Sequence, residues 1–432
     1  MSNTVAPTGI TTTPNALPAD APVQDTPRTP ARRQVNPFFQ VLTFAGSLRI
    51  TVVLFALSMV LVFVGTLAQK DTGILTVVNQ YFRSFFVWVR FQVFFPSTMK
   101  VGGGFPFVGG WLIGAVLMVN VLAAHITRFR YTAKRIGIVL IHVGIIVLMG
   151  GELITGLAAV EGNMTIRGGG YANYTEEQDK VELAFVTASS KDPNKEHHVI
   201  IPQAALTKRT RIKNDELPFD VEVLQYMVNS KRVDLDTGGA NRATAGYGLH
   251  TKVVEVPEVS GTDPDQKRDL ASAYVRLYEK GTDKALDTYL VTLWYLTIPD
   301  LKPQELTQGE KSCGMSLRFK RTYKPYTVFL KEFRHDLYPG TSTPKNFSSD
   351  VRLIDSSRNV DRTTLISMNN PLRYQGETFF QASFLPNDEG TVLQVVRNPA
   401  WPLPYISCTL VGIGLLVHFG TYLVIFLRRR PA

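Results

Sequence analysis

Seven histidines are the residues of this 432-residue chain best suited to chemistry, and two of them, His142 and His418, lie inside long apolar runs. A neutral imidazole carries one N–H and one lone pair, so it either hydrogen-bonds a neighbouring carbonyl or ligates a metal. Polar side chains are costly in lipid and turn toward protein, a cavity or a ligand. At a rise of about 1.5 Å per residue, His142 lies about 10 Å and His418 about 14 Å from the basic ends of their runs. Imidazoles at similar depth on two helices suit the axial positions of a haem iron. Carbonyl bonding and ligation both stay open at this point. His197 and His198, beside Lys195 and Glu196, read as a solvated turn. Glu152, the lone carboxylate of its apolar run, reads as a helix-interface hydrogen bond or a group near the headgroups, with a proton relay as the alternative.

Other chemistries are poorly represented. GGGFPFVGG and RGGGYAN are glycine clusters without the Lys-Ser/Thr of a phosphate loop or the strand–turn–helix setting of a dinucleotide fold, and both read as turns. Asp234 with Asp236, and Asp263 with Asp265, read as solvated loops. The two cysteines, Cys313 in a polar segment and Cys408 in an apolar run, form no CxxC pair and no expected disulfide. The chain is therefore not a thiol carrier by itself. Its net charge of +10 is concentrated beside apolar runs at Arg28 to Arg33, Arg49, Arg128 to Arg135 and Arg428 to Arg430. That placement signals membrane topology and anionic-lipid contact, not nucleic-acid binding.

The elements that must position the histidines are apolar helices. After Arg128, Arg130, Lys134 and Arg135 come 22 residues, IGIVLIHVGIIVLMGGELITGL, long enough to cross about 30 Å of hydrocarbon. Other spans are expected at Ser47 to Gln69, Gly104 to Thr127 and about Pro404 to Leu427, so four spans place both termini on one side. Lys and Arg concentrate in short cytoplasmic loops, which puts that side in the cytoplasm. The loop 70–105 also holds Lys70, Arg83, Arg90 and Lys100 but spreads them over a longer stretch. Its aromatic segment 81–95 suits a helix at the headgroup level or a hydrophobic segment packed on the spans. Residues 1–40, rich in Thr, Pro and Ala, read as a disordered cytoplasmic tail without secretory-signal features.

Residues 159–403 follow a different period. VELAFVTA, FDVEVLQYMV, TYLVTLWYLTI, MSLRFKRTYKPYTVFLKEF, TFFQASF and TVLQVV alternate apolar and polar side chains, the pattern of antiparallel strands with one buried face. The expected protein is a membrane protein: three transmembrane helices in 41–158, a large β-rich extracytoplasmic domain at 159–403, and a fourth helix with a basic tail at 404–432.

With this architecture in place, several phrases resemble the ResB/CcsB-type cytochrome c biogenesis proteins. They are SLRITVVLFALSMVLVFVGTLAQ (47–69), HVGIIVLMGGELITG (142–156), FLKEFRHDLYPGTSTPKNFSSDVRL (329–353), NNPLRYQGETFFQASF (369–384) and NPAWPLPYISCTLVGIGLLVHFG (398–420). The resemblance implies a membrane subunit of a cytochrome c assembly complex, non-catalytic alone, that delivers haem for attachment to apocytochrome c. It also implies a CcsA/ResC-type partner, because the tryptophan-rich haem motif of that partner is absent from a chain with four tryptophans. His142 falls at the family's third-span histidine; His418 is carried over with it as a second axial ligand of a transient haem shared with the partner. A thioredoxin-like carrier is implied to keep the substrate thiols reduced. The competing expectation is a structural anchor whose β domain binds apocytochrome or a partner without touching haem.

Overall fold

The computed structural model describes residues 36–96, 98–129, 132–188, 195–208, 210–237, 241–259, 268–298, 301–308, 311–341 and 344–429. Expectations placed on residues 1–35, Arg130, Asp263, Asp265 and Arg430 lie outside the described residues.

Four helices are long and apolar enough to cross a bilayer. They are α2 (Leu48–Ala68), α3 (Gly110–Arg128), α4 (Ile136–Ala158) and α5 (Leu403–Arg429); a shorter α1 (Pro37–Ala45) precedes them. Residues 37–40 are therefore helical rather than part of a tail. Asn36 accepts from the Phe38 amide and Pro37 takes the first turn, where its missing N–H costs nothing.

The closest helix contact is between α4 and α5. Gly137, Gly144 and Gly151 recur every seven residues and are all buried. A seven-residue repeat keeps one face of a helix on its neighbour over several turns. A Cβ at Gly137 would lie 2.6 Å from the His418 nitrogen, and one at Gly151 would lie 2.9 Å from the Leu403 Cβ. Only glycine admits the second backbone so near, and Ser407 Oγ then donates to the Gly144 carbonyl at 2.8 Å.

The two helices continue directly into paired strands. β3 (Val160–Arg167) leaves α4, and β15 (Gly390–Arg397) leads to α5; they pair antiparallel from Val160↔Arg397 to Arg167↔Gly390. Asn398 Nδ2 donates to Thr155 Oγ1 at 3.1 Å across the junction. Between them lie β4 (Tyr171–Ala188), β5 (Glu196–Pro202), β6 (Phe219–Met227), β7 (Ser272–Glu279), β8 (Ala285–Thr292), β9 (Gln304–Gln308), β10 (Lys311–Leu337), β11 (Pro344–Asp355), β12 (Val360–Ser367), β13 (Leu372–Tyr374) and β14 (Glu377–Phe384).

The main sheet runs β12-β11-β10-β4-β3-β15-β14-β13, with β9 added to β10 and β5 to β4. The long strands β4 and β10 serve two cores. At one end Leu183, Phe185, Met315 and Leu317 pack against Val221, Val223, Ala273 and Val275 of β6 and β7. Toward the other, Ala172, Val328 and Leu330 join Met164, Phe379 and Leu393. Tyr326, Val328 and Leu330 are buried at a spacing of two, the alternation read from the sequence.

The aromatic segment departs from the helical expectation. Phe86–Arg90 forms β1, paired with β2 (Gly104–Val108) in a hairpin, because Val87 and Val89 point in while Phe86 and Trp88 point out. A period of two selects strand over helix. The second span consequently starts at Gly110 rather than Gly104, since Gly104–Val108 is committed to the hairpin and Pro106 cannot donate within a helix. The hairpin packs on α2 through Val87, Val89, Leu61 and Val64. Thr76 Oγ1 donates to Glu258 Oε2 at 2.6 Å, which ties the segment after α2 to the β domain.

The glycine seam is tested by comparing Gly144→Leu with Gly150→Leu, because nothing lies within 4 Å of a Cβ at Gly150. Overpacking typically costs about 1–3 kcal/mol. Thermal unfolding of the detergent-solubilised protein is expected to show a lower Tm for the first variant and an unchanged Tm for the second.

Candidate functional site

His142 lies five residues beyond Gly137, about 140° around the helix at 100° per residue, so it faces away from the α5 seam. Its ring neighbours are His125 of α3, at a centroid distance of 5.5 Å, and Phe129, at 4.9 Å. Phe129 stacks on His125 at 4.2 Å. His142 Nδ1 lies 2.9 Å from the Ile138 carbonyl and His125 Nδ1 lies 3.1 Å from the Val121 carbonyl. A carbonyl only accepts, so each Nδ1 carries the proton and each Nε2 keeps its lone pair. His125 Nε2 is buried without a partner.

His418 stands elsewhere. Its backbone abuts Gly137 on the seam, its ring contacts are Phe419 and Tyr422, and its Nδ1 is buried without a partner. Among the described residues no ring contact joins His142 and His418. The structure therefore gives His142 a different companion, His125, which the sequence marks only as the end of a span; its signal is its helix position four residues before Phe129. Both sequence-derived candidates fit a haem iron as separate imidazole donors, each with an available nitrogen. Among the described residues no three His, Cys, Asp or Glu side chains converge as a ligand cluster for a bare ion. Glu152 is exposed on α4, and among the described residues no hydrogen bond or ion pair reaches it.

A second cluster lies in the β domain and corrects the solvated turn. His197 and His198 belong to strand β5, because Val199 and Ile201 continue the alternation into the core. His197 remains exposed, but His198 lines a cavity of about 310 Å³ together with Arg318, Arg321, Tyr247, Lys302 and Gln304. Buried Arg318 donates from Nε to Glu182 at 2.9 Å, and its Nη2 is 3.4 Å from His198 Nδ1. His198 Nε2 reaches Glu196 at 3.0 Å. Burial, and then the Arg318 guanidinium, hold the His198 pKa below its ordinary value. Burial pushes the Cys313 thiol up to about 11, which keeps it an inert thiol rather than a reactive thiolate.

A base whose pKa is lowered by folding stabilises the fold above its unfolded pKa, about 6.5 for histidine, and loses that contribution as the pH falls. Between pH 7 and 5 the wild-type β domain is expected to lose more thermal stability than the His198→Gln variant. Parallel pH–Tm curves for the two proteins would contradict the lowered pKa.

Residues 304–392 match the ResB-like family. Protein NrfI of Wolinella succinogenes is 37% identical over 92 residues, covering 21% of this chain and 10% of that protein. Cytochrome c biogenesis protein CcsB of Picosynechococcus sp. is 34% identical over 87 residues, 20% of this chain and 18% of that protein. The matched stretch thus spans a tenth of one relative and under a fifth of the other. The family segment runs from β9 into β15, includes Arg318 and Arg321, and leaves out the membrane histidines. Over strands β9 to β15 this chain is therefore similar to the ResB-like family.

Proposed function

We propose that the protein is a membrane subunit of a cytochrome c assembly complex that delivers haem for attachment to apocytochrome c with a CcsA/ResC-type partner. The observation that carries this reading is the ResB-like segment, mounted on a β domain whose two ends are held by one pair of membrane helices. The similarity to a cytochrome c biogenesis protein, CcsB of Picosynechococcus sp., supports the pathway. The β domain faces outward from a bacterial inner membrane and both termini face the cytoplasm, because Arg128, Lys134, Arg135 and Arg428 cluster at one end of the spans.

In this role the chain positions and does not catalyse. His142 would hold the haem iron through Nε2, because its Nδ1 donates to the Ile138 carbonyl, an arrangement that sets tautomer and ring orientation. His125 lies beside it, and His418 offers a separate nitrogen on the other helix. Haem, when bound, supplies the iron and the vinyl groups that receive the substrate thiols. Cys313 and Cys408 are both free and form no CxxC pair that could reduce those thiols, so in this reading a thioredoxin-like carrier does so. The β domain presents the extended substrate chain.

The second reading, a structural anchor that binds apocytochrome or a partner without contacting haem, is favoured by one observation: the family segment lies wholly within the β domain. Absorbance of the purified complex separates the two. Under the first reading His142→Ala loses most of the Soret band; an unchanged spectrum in His142→Ala, His125→Ala and His418→Ala would leave only the anchor. Reporter fusions at residue 250 are expected to be active outside the cytoplasm, and cytoplasmic activity there would overturn the assembly role.

A further inference from the structure

The cavity beside His198 lies in the β domain, apart from the membrane histidines, and its lining divides into two halves. Arg318, Arg321 and Lys302 bring three positive charges to it, against one carboxylate, Glu196. Tyr247, Tyr295, Leu296 and Leu301 supply an aromatic and aliphatic wall, with the two tyrosine rings edge to face at 5.4 Å. A volume of about 310 Å³ has room for one small molecule or for the end of one chain.

Both halves are held in place by the protein itself. Arg318 donates from Nε to Glu182 at 2.9 Å, and Arg321 from Nε to Glu176 at 2.9 Å; neither carboxylate lines the cavity. A guanidinium has five N–H groups. The other contact of Arg318, Nη2 to His198 Nδ1, is long at 3.4 Å, and among the described residues no acceptor reaches its Nη1, although the residue is only 4% exposed. Because an arginine only donates, His198 Nδ1 accepts, and Nε2 carries the proton toward Glu196 at 3.0 Å. On the opposite wall the Tyr247 amide donates to Gln304 Oε1 at 2.9 Å, and the Tyr247 hydroxyl donates to the Lys302 carbonyl at 3.3 Å. Gly246, with φ of +68°, makes the turn that brings Tyr247 there; a Cβ on it would lie 2.2 Å from Gln304 Oε1.

We propose that this cavity binds a carboxylate carried on an apolar body, with the Arg318 guanidinium and the Lys302 ammonium on the carboxylate and the tyrosines and leucines around the body. A planar guanidinium fork matches the two oxygens of a carboxylate, and a nearly buried guanidinium is costly while its N–H groups lack acceptors. Glu176, Glu182 and Glu196 together balance Arg318, Arg321 and Lys302. A neutral surround takes one negative charge beside the donors more readily than the two of a phosphate. Water would satisfy the guanidinium but gains nothing from the aromatic wall, where an apolar body leaves solvent.

The inference goes beyond the assembly role and does not rest on it. The test is fluorine NMR of para-fluorobenzoate titrated with the detergent-purified full chain and, as a blank, with protein-free micelles. The probe signal is expected to shift and broaden with protein, while para-fluorobenzamide, its uncharged isostere, should bind about tenfold more weakly. Glu182→Gln and Arg318→Gln made together remove the guanidinium without leaving a buried charge unpaired, and should weaken binding about tenfold or more. Lys302→Gln, at an exposed residue, should weaken it severalfold, whereas Lys331→Gln, exposed elsewhere on β10, should leave it unchanged. If the double variant fails to fold, Lys302→Gln decides by the same titration. Displacement of the probe by a peptide with a free C-terminal carboxylate, and not by its C-terminal amide, assigns the carboxylate to a polypeptide; displacement by benzoate alone assigns it to a small acid. Equal binding of acid and amide, displacement by inorganic phosphate as readily as by benzoate, no exchange at millimolar probe, or binding unchanged in the double variant and in Lys302→Gln would overturn the site.

Discussion

The close approach of α4 and α5 is the constraint on which the rest depends. Three glycines at a spacing of seven remove every Cβ that would separate the helices, and the Ser407 hydroxyl uses the proximity to reach the Gly144 carbonyl. Because β3 and β15 extend directly from these helices, the distance set by the glycines becomes a strand-pairing distance within a few residues. More than two hundred residues are inserted between those strands, yet both ends enter the β domain side by side. Loop closure for that excursion is thus provided by helix packing, where lipid offers no hydrophobic drive and small residues with close contacts must suffice.

Within the β domain, charges are buried where strands cross between its two cores. Burial alone would raise the Glu177 pKa, but hydrogen bonds from Lys180 and Lys320 outweigh it and hold the carboxyl below its ordinary value. Glu377 receives Lys324 at 2.5 Å and the Tyr326 hydroxyl, and burial followed by that carboxylate pushes the Tyr326 pKa upward. For Lys324–Glu377, about a tenth exposed on both sides, removing one partner typically costs about 3–5 kcal/mol, whereas the half-exposed lysines of Glu177 are screened by solvent and contribute less. These networks lie on β4, β10 and β14, so they pin the register of the strands that carry the ResB-like segment.

Three histidines share one design and differ in setting. His142 and His125 each hold one nitrogen on a backbone carbonyl, whereas His335 holds one on Asp388. His125 and His335 each leave the other ring nitrogen buried without a partner, and the His142 ring lies against His125 and Phe129. A nitrogen held in this way fixes the tautomer and leaves the other nitrogen as the acceptor, in a helix and in a strand alike.

The amino-acid sequence by itself determined four spans, a β-rich insertion between the third and fourth, and the candidacy of His142 and His418. Lipid imposes length and apolarity on a span, and a half-buried strand imposes alternation, so both are written locally. Of the two readings of 81–95, the hydrophobic segment packed on the spans holds, with Val87, Val89 and Val93 against α2, while pairing with Gly104–Val108 makes Phe86–Arg90 a strand rather than an interfacial helix. Tertiary structure alone decided that His142 meets His125 rather than His418, that His198 leaves solvent for Arg318, and that Asp388 reaches back 53 residues to His335. Such pairings depend on which helix faces and strand registers meet across the fold, and no local stretch of chain specifies that meeting.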